Sequence, residues 1–147
     1  MAFLNSIDIS ASALTAERLR MDIISKNVAN VNTTRTSDGT PYRRQVVVFQ
    51  EGGNNVPFSR FLTSELNKFN KKGVKVTSII EDKSSFKQIY DPMHPDANEK
   101  GYVEMPNVDI MVEMVNMISA TRAYEANVTS INSTKSMAMK ALDIGRI

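Results

Sequence analysis

One histidine lies among carboxylates, which is a setting in which an imidazole can act as a general base for a serine nucleophile. His94 is the only histidine of the 147 residues, and Asp91 and Asp96 flank it. Pro92 and Pro95 enclose it, so this segment is expected to form a rigid turn. The sequence contains no Gly-x-Ser-x-Gly motif that would present a nucleophile. An enzyme that uses His94 is therefore a disfavoured interpretation.

The composition also excludes most kinds of ligand site. The chain has no cysteine and a single histidine, which rules out disulfides, thiolate zinc sites, iron–sulfur clusters and any site that needs two imidazoles. No phosphate-binding glycine loop and no calcium-loop spacing occurs. We expect no catalytic residue, no metal, no cofactor and no small-molecule substrate.

The charge balance gives little reason to expect nucleic-acid binding. The formal net charge is +2, and the basic pairs Arg43-Arg44 and Lys71-Lys72 lack interleaved aromatic residues. There is also no run of 18 apolar residues and no basic and apolar leader typical of a secretory signal. We expect a protein that neither spans a membrane nor follows the conventional secretory route.

Glycine and proline divide the chain into three regions. Residues 36–106 contain all five prolines and five of the six glycines. Residues 1–35 and 107–147 contain no proline, so each can form an uninterrupted helix. We therefore place a helical segment at each end and a separate domain between them.

Both terminal regions show helical periodicity. In the first region, apolar residues at seven-residue spacing line one face: Ile7, Leu14, Met21 and Val28. We predict a helix over 6–30, ended by the polar residues from Asn30 onward. In the last region, steps of four and three run through Ile110, Met114, Met117, Thr121, Tyr124, Val128, Ile131, Lys135, Ala138 and Leu142. This pattern predicts one helix of roughly 35 residues, capped by Asn107 or Asp109 and ended at Gly145.

The length of the second helix favours pairing with the first. At about 1.5 Å per residue it would run roughly 50 Å, whereas a compact chain of this size is only roughly 40 Å across. The apolar stripe of the first helix is the largest surface in the chain on which it can pack. We predict a mainly α fold with a small β insert, in which the terminal helices form an antiparallel, coiled-coil-like pair. A helical-hairpin adaptor that binds one partner remains an alternative with the same architecture.

The middle region reads as short strands and turns. We predict strands over Tyr42–Gln50, Phe58–Leu66, Gly73–Glu81 and Ser85–Tyr90, with Val74, Val76 and Ile79 or Ile80 directed inward. A turn is expected over Gly52–Asn55. The prolines of 91–106 predict an extended connector to the second helix.

Several motifs resemble those of the flagellar basal-body rod protein family, and of its proximal-rod members in particular. At the N-terminal end these are Asn27-Val28-Ala29-Asn30 and Tyr42-Arg43-Arg44. At the C-terminal end they are Glu113–Ile118, Arg122–Asn127 and Lys140–Gly145, and in the connector Tyr90-Asp91-Pro92 and Gly101-Tyr102-Val103. Together they cover both ends and the connector.

The resemblance implies a structural subunit of the bacterial flagellum and no enzyme. Such a subunit would polymerise with its own copies and neighbouring rod proteins, and would join the MS ring through an adaptor protein. It would lie in the periplasmic rod of the basal body after passing unfolded through the flagellar type III export apparatus, without a cleaved signal peptide. The terminal helices would form the inner tube and residues 36–106 would lie outside it. Another axial rod or hook protein is the alternative within this class.

These considerations select a set of residues for helix packing and assembly. The packing residues are Ile7, Leu14, Met21, Val28, Met114, Met117, Tyr124, Val128, Ile131 and Leu142. We expect Asn27, Asn30 and Asn127 to form hydrogen bonds between helices, and Arg122 and Glu125 to form an ion pair between subunits.

Overall fold

The computed structural model describes residues 2–52 and 73–145, with side chains from Asn5 onward. Two long helices flank four short strands in the order α1 Ala2–Ala29, β1 Gln45–Glu51, β2 Val74–Glu81, β3 Lys87–Tyr90, β4 Tyr102–Met105 and α2 Ile110–Ile144. The prediction of a mainly α chain with a β insert is confirmed.

The ends of both helices follow from local side-chain chemistry. Helix α1 begins four residues before the predicted position, and Asn30 ends it by donating its side-chain amide to the carbonyl of Lys26 at 2.9 Å. Helix α2 has the 35 residues that its periodicity predicted. Asp109 caps it by accepting from the N–H of Met111 at 3.0 Å, and Gly145 follows its last residue. The end of α1 and both ends of α2 therefore lie where the sequence indicated.

The two helices pack against each other in opposite directions. Asn27 near the end of α1 contacts Glu113 near the start of α2, and Met21, earlier in α1, contacts Thr121, later in α2. These two contacts place the start of α1 opposite roughly residue 139 of α2, so the last five or so residues of α2 extend beyond it by about 8 Å.

The buried face of α2 is displaced from the predicted stripe. Glu113, Ala120 and Thr134 are buried, while Met114 and Leu142 from the predicted stripe are exposed. The reason is that an alanine or threonine lets α1 approach closely, and a carboxylate can be buried when it is paired. The half-buried Met117, Tyr124 and Ile131 belong both to the predicted stripe and to the observed face.

The first β-ribbon lies against α1. Strands β1 and β2 pair antiparallel with a bulge between Val48 and Phe49, and both strands pack on α1. The N–H of Val74 donates to the hydroxyl of Ser12 at 3.1 Å, which fixes the start of β2 on the helix.

The inward orientation predicted for the isoleucines of β2 is wrong. Ile79 and Ile80 are 46% and 51% exposed, and Val74 is also exposed. Adjacent strand residues point to opposite faces, and two strands with a helix on one side cannot cover both. Val76 alone of the predicted set is half-buried. The predicted strand Phe58–Leu66 and most of the turn Gly52–Asn55 lie outside the described residues.

The predicted connector 91–106 contains a strand. β4 pairs antiparallel with β3, and the rings of Tyr90 and Tyr102 meet edge to face at 5.3 Å. Gly101 has a φ of 77°, which a glycine adopts at little cost and which turns the chain back along β3. Because β4 has only four residues and ends before Pro106, its periodicity is too short to read from the sequence.

Candidate functional site

A group of polar side chains ties the end of α1, the start of β1 and the start of α2 together. Its members are Asn27, Tyr42, Arg44, Asn107 and Glu113, which we call the junction cluster. All five are buried or half-buried. Because they come from distant parts of the sequence, the cluster fixes the three elements relative to one another.

The Asn27 side chain uses all of its hydrogen-bonding capacity. Its Oδ1 accepts from the Tyr42 hydroxyl and from the N–H of Gln45, each at 2.9 Å. Its Nδ2 donates to the Gln45 carbonyl at 2.8 Å and to Glu113 Oε2 at 3.0 Å. Asn27 therefore binds the backbone at the start of β1 in the way that a neighbouring strand would.

The Glu113 carboxylate is only 1% exposed and is held by charge-assisted hydrogen bonds. Its Oε1 accepts from Nη2 of Arg44 at 2.7 Å and from Nε at 2.9 Å. The guanidinium also lies 3.6 Å from the Asp82 carboxylate. A buried carboxylate that lost these partners would be strongly unfavourable.

Asn107, three residues before α2, connects that helix to the residue just before β1 and the residue just after β2. Its Oδ1 accepts from the N–H of Arg44 at 2.9 Å, and its Nδ2 donates to the Asp82 carbonyl at 3.0 Å. Helices α1 and α2 are thus both bound to the start of β1, through Asn27 and Asn107 respectively.

Burial raises the pKa of the Tyr42 hydroxyl, and the negative charges of Glu113 and Glu81 raise it further. The hydroxyl must keep its proton to donate to Asn27. The raised pKa and the hydrogen bond therefore favour the same neutral form.

The first turns of α2 carry large apolar side chains on the surface. We call this group the outer face, and it comprises Ile110, Met111, Val112, Met114, Val115 and Ile118, all exposed. Met111, Val115 and Ile118 are 72%, 65% and 62% exposed. Contiguous exposed apolar side chains of this kind mark a surface that a partner covers.

The predicted packing residues fall into two groups. Most are half-buried in the single chain, namely Ile7, Leu14, Met21, Val28, Met117, Tyr124, Val128 and Ile131. Met114 and Leu142 are exposed, so the single chain does not bury them.

The predicted polar contacts also divide. Asn27 reaches the other helix, but Asn127 donates to the Ala123 carbonyl of its own helix at 2.8 Å, as Asn30 does to Lys26. Arg122 and Glu125 are exposed and lie 3.6 Å apart within α2. A role of this pair between subunits stays a prediction.

The last candidate for catalysis in the sequence, His94, is part of a turn. His94 Nδ1 accepts the N–H of Asp96 at 3.1 Å inside the turn. Among residues 2–52 and 73–145 there is no group of three histidines, cysteines or carboxylates that could hold a metal ion. In the same part of the chain, neither helix is long and apolar enough to cross a membrane.

Sequence reasoning about packing missed four members of the junction cluster, Tyr42, Arg44, Asn107 and Glu113. Glu113 gave a signal, since an acidic residue between the apolar Val112 and Met114 lies next to the predicted stripe. Its partners could not be identified, because the sequence presented Arg44 as half of a basic pair and Asn107 as a candidate helix cap.

Two parts of the chain match families of flagellar proteins. Residues 7–35 match the family described as flagella basal body rod protein, and residues 99–144 match the C-terminal region of the family described as flagellar basal body rod FlgEFG protein.

Full-length relatives carry names of the same kind. The chain is 50% identical to the flagellar basal-body rod protein FlgC of Bacillus subtilis, over 99% of this chain and 100% of the relative. It is 52% identical to FlgC of Borreliella burgdorferi over 98% of each chain. It is 44% identical to FlgC of Escherichia coli O157:H7 over 99% of this chain and 100% of the relative.

Proposed function

The chain belongs to the flagellar basal-body rod protein family, and on that premise we propose how its surfaces serve the rod. It is a structural subunit of the basal body and not an enzyme. In our proposal it is a subunit of the proximal rod that polymerises with its own copies and with neighbouring rod proteins. The resulting shaft would transmit torque across the periplasm.

The outer face of α2 is the observation that carries this proposal. The residues that α2 buries most completely include only alanine, threonine and a paired glutamate, while methionine, valine and isoleucine occupy its surface. A helix of a monomer that buries its own apolar surface shows the reverse arrangement. Helices of neighbouring subunits would cover the outer face, as tube walls made of packed helices require.

The helix pair would form the inner-tube domain. In the proposal, residues 1–35 and 107–147 pair in a coiled-coil-like manner and residues 36–106 lie outside the tube. Glu113, Ala120 and Thr134 lie seven and fourteen residues apart on the buried face, in multiples of seven, which supports this. Met21 against Thr121 supports the antiparallel direction.

Transit and neighbours complete the proposal. The subunit would pass unfolded through the flagellar type III export apparatus without a cleaved signal peptide, and its rod would join the MS ring through an adaptor protein. A chain without cysteine cannot form a disulfide during transit or after it.

A charge on the outer face tests the proposal. Val115→Asp leaves the buried face of α2 unchanged, so the purified variant should keep its helical circular dichroism. It should be missing from isolated basal bodies, and cells that carry it should not swim, because a neighbour would have to bury an unpaired carboxylate. Asn132→Asp, at an exposed polar position of the same helix, is the matched control and should incorporate normally.

The packing residues give a second set of variants. Leu14→Asp and Ile131→Asp should also block incorporation. Normal rods containing folded Val115→Asp would contradict the use of the outer face, whereas normal rods containing Leu14→Asp or Ile131→Asp would contradict the predicted helix packing.

A further inference from the structure

The contact between α1 and α2 repeats itself along α2. Positions 117, 124, 131 and 138 carry Met, Tyr, Ile and Ala at seven-residue intervals, and all four are half-buried. Ala120 and Thr134 are buried at an interval of fourteen residues, with the half-buried Asn127 midway between them. A shift of α2 by seven residues along α1 therefore still places the apolar residues of this first set near apolar residues of α1.

The junction cluster does not repeat. Seven residues after Glu113 comes Ala120, and seven residues after that comes Asn127. Neither position offers a second carboxylate to the guanidinium of Arg44. The cluster is also bound to a fixed point of the fold, because Asn27 holds the backbone of Gln45.

We infer that the Glu113–Arg44 pair, together with Asn27, determines the register in which α2 lies on α1. The inference rests on the helix pairing of the proposed function and adds the residues that select one alignment among those that the seam allows. In a shifted alignment, α2 moves about 10 Å per seven residues. Glu113 then leaves both partners and carries an unpaired charge into a buried setting, which is strongly unfavourable.

The absence of cysteine makes the register measurable in the purified full-length chain. The pair Met21→Cys with Thr121→Cys reports the observed register, since the native side chains are in contact. The pairs of Met21→Cys with Val128→Cys and with Met114→Cys report shifts of seven residues in the two directions. Disulfides form only where Cα atoms lie within about 7 Å, so each pair detects one alignment.

With Glu113 and Arg44 in place, the 21–121 disulfide should form. The rate of formation of each shifted disulfide should stay below about one hundredth of the rate of the 21–121 disulfide. Arg44→Met combined with Glu113→Leu removes the ion pair and keeps the side-chain volume. In that background at least one shifted disulfide should form about tenfold faster or more. Arg122→Met with Glu125→Leu removes an exposed ion pair of the same helix and should change none of the three.

A variant with unchanged helical circular dichroism that still forms only the 21–121 disulfide would overturn the inference. Glu113→Gln keeps an acceptor oxygen for Arg44 and guards against misfolding of the double variant. The Glu113→Gln variant should form the shifted disulfides faster than the parent chain, by a smaller factor than the double variant. If their rate did not rise in this variant, that result would also count against the register role. Since the assay uses the isolated chain, its failure is separate from a failure of the proposed function, which normal incorporation of Val115→Asp would reveal.

Discussion

Asn27 donates its side-chain amide to the Glu113 carboxylate across 3.0 Å and across 86 positions of sequence. One residue lies near the end of α1 and the other near the start of α2. Both are almost completely buried, at 1% exposure each. Each can be satisfied only when the two ends of the chain have met, so burial of either group requires the helix pair and the start of β1 to form together.

Asn27→Ala tests this dependence. The change leaves Glu113 Oε2 and the backbone of Gln45 without buried partners, so it should lower the free energy of unfolding by about 2–4 kcal/mol. Urea denaturation followed by circular dichroism measures the loss. Asn30→Ala, three residues away, removes a hydrogen bond within α1 and a contact with Thr33, and should cost less than about 1 kcal/mol. Equal losses in the two variants would contradict the importance of the cluster.

Ala120 tests the close approach of the helices. Its side chain is fully buried, so Ala120→Leu should force α1 and α2 apart and cost about 1–3 kcal/mol. Ala126→Leu places the same side chain at an exposed position of α2 and should change the stability by no more than about 0.5 kcal/mol. Thermal denaturation of both variants provides the comparison. An Ala120→Leu chain as stable as the parent chain would mean that α1 and α2 are loosely packed against each other.

The stability of the chain should depend on pH in the acidic range through the Asp109 carboxyl. The N–H groups of Met111 and Val112, and to a lesser extent the charge of Lys87, lower the pKa of the Asp109 carboxyl. The stabilisation from this cap is therefore present above an ordinary aspartate pKa of about 3.9 and is lost as the pH falls through the lowered value. Asp109→Asn retains a capping oxygen that does not titrate. Thermal midpoints compared between about pH 6 and pH 2 should fall less for the variant than for the parent chain.

Gly101 and Gly39 separate backbone conformation from crowding. Both have a positive φ, of 77° and 74°. A Cβ at Gly101 would lie 2.9 Å from a ring carbon of Tyr90, whereas a Cβ at Gly39 would meet nothing within 4 Å. Gly39→Ala should cost about 1–2 kcal/mol from conformation alone. Gly101→Ala should cost about 1 kcal/mol more, because the Tyr90 ring must move. Chemical denaturation measures the loss of unfolding free energy in both variants. Equal losses would mean that the Tyr90 ring moves aside at no cost.

The helices were predictable because their signals are local. Asp109 and Gly145 mark the ends of α2, and a proline-free stretch with apolar residues at helical spacing fills the interval. Family membership was predictable for a similar reason, since the motifs lie in continuous segments such as Asn27–Asn30.

The contact surface between α1 and α2 was predictable only in part. Periodicity weights apolar residues, so it selected Met114 and Leu142, which are exposed, and passed over Glu113 and Thr134, which are buried. Burial of a carboxylate depends on Arg44, 69 positions away. A pattern read along one helix contains no information about a partner at that distance, and the junction cluster could not be assembled from the sequence for the same reason.

The ribbons show a third kind of difference. The apolar residues of β2 led to the prediction that Ile79 or Ile80 is directed inward. In the single chain both are exposed, on opposite faces of the strand. The alternation of a strand identifies two faces and does not say which element covers them.

The overhang of α2 separates two kinds of constraint on its sequence. At the buried positions between Glu113 and Thr134, a substitution acts first on the folding of the chain itself, because the side chains of α1 lie opposite. Leu142 and Ile144 are 75% and 74% exposed and follow the point at which α1 begins. Shortening α2 there would remove little stability from the isolated chain, so whatever requires leucine and isoleucine at those positions must come from another molecule.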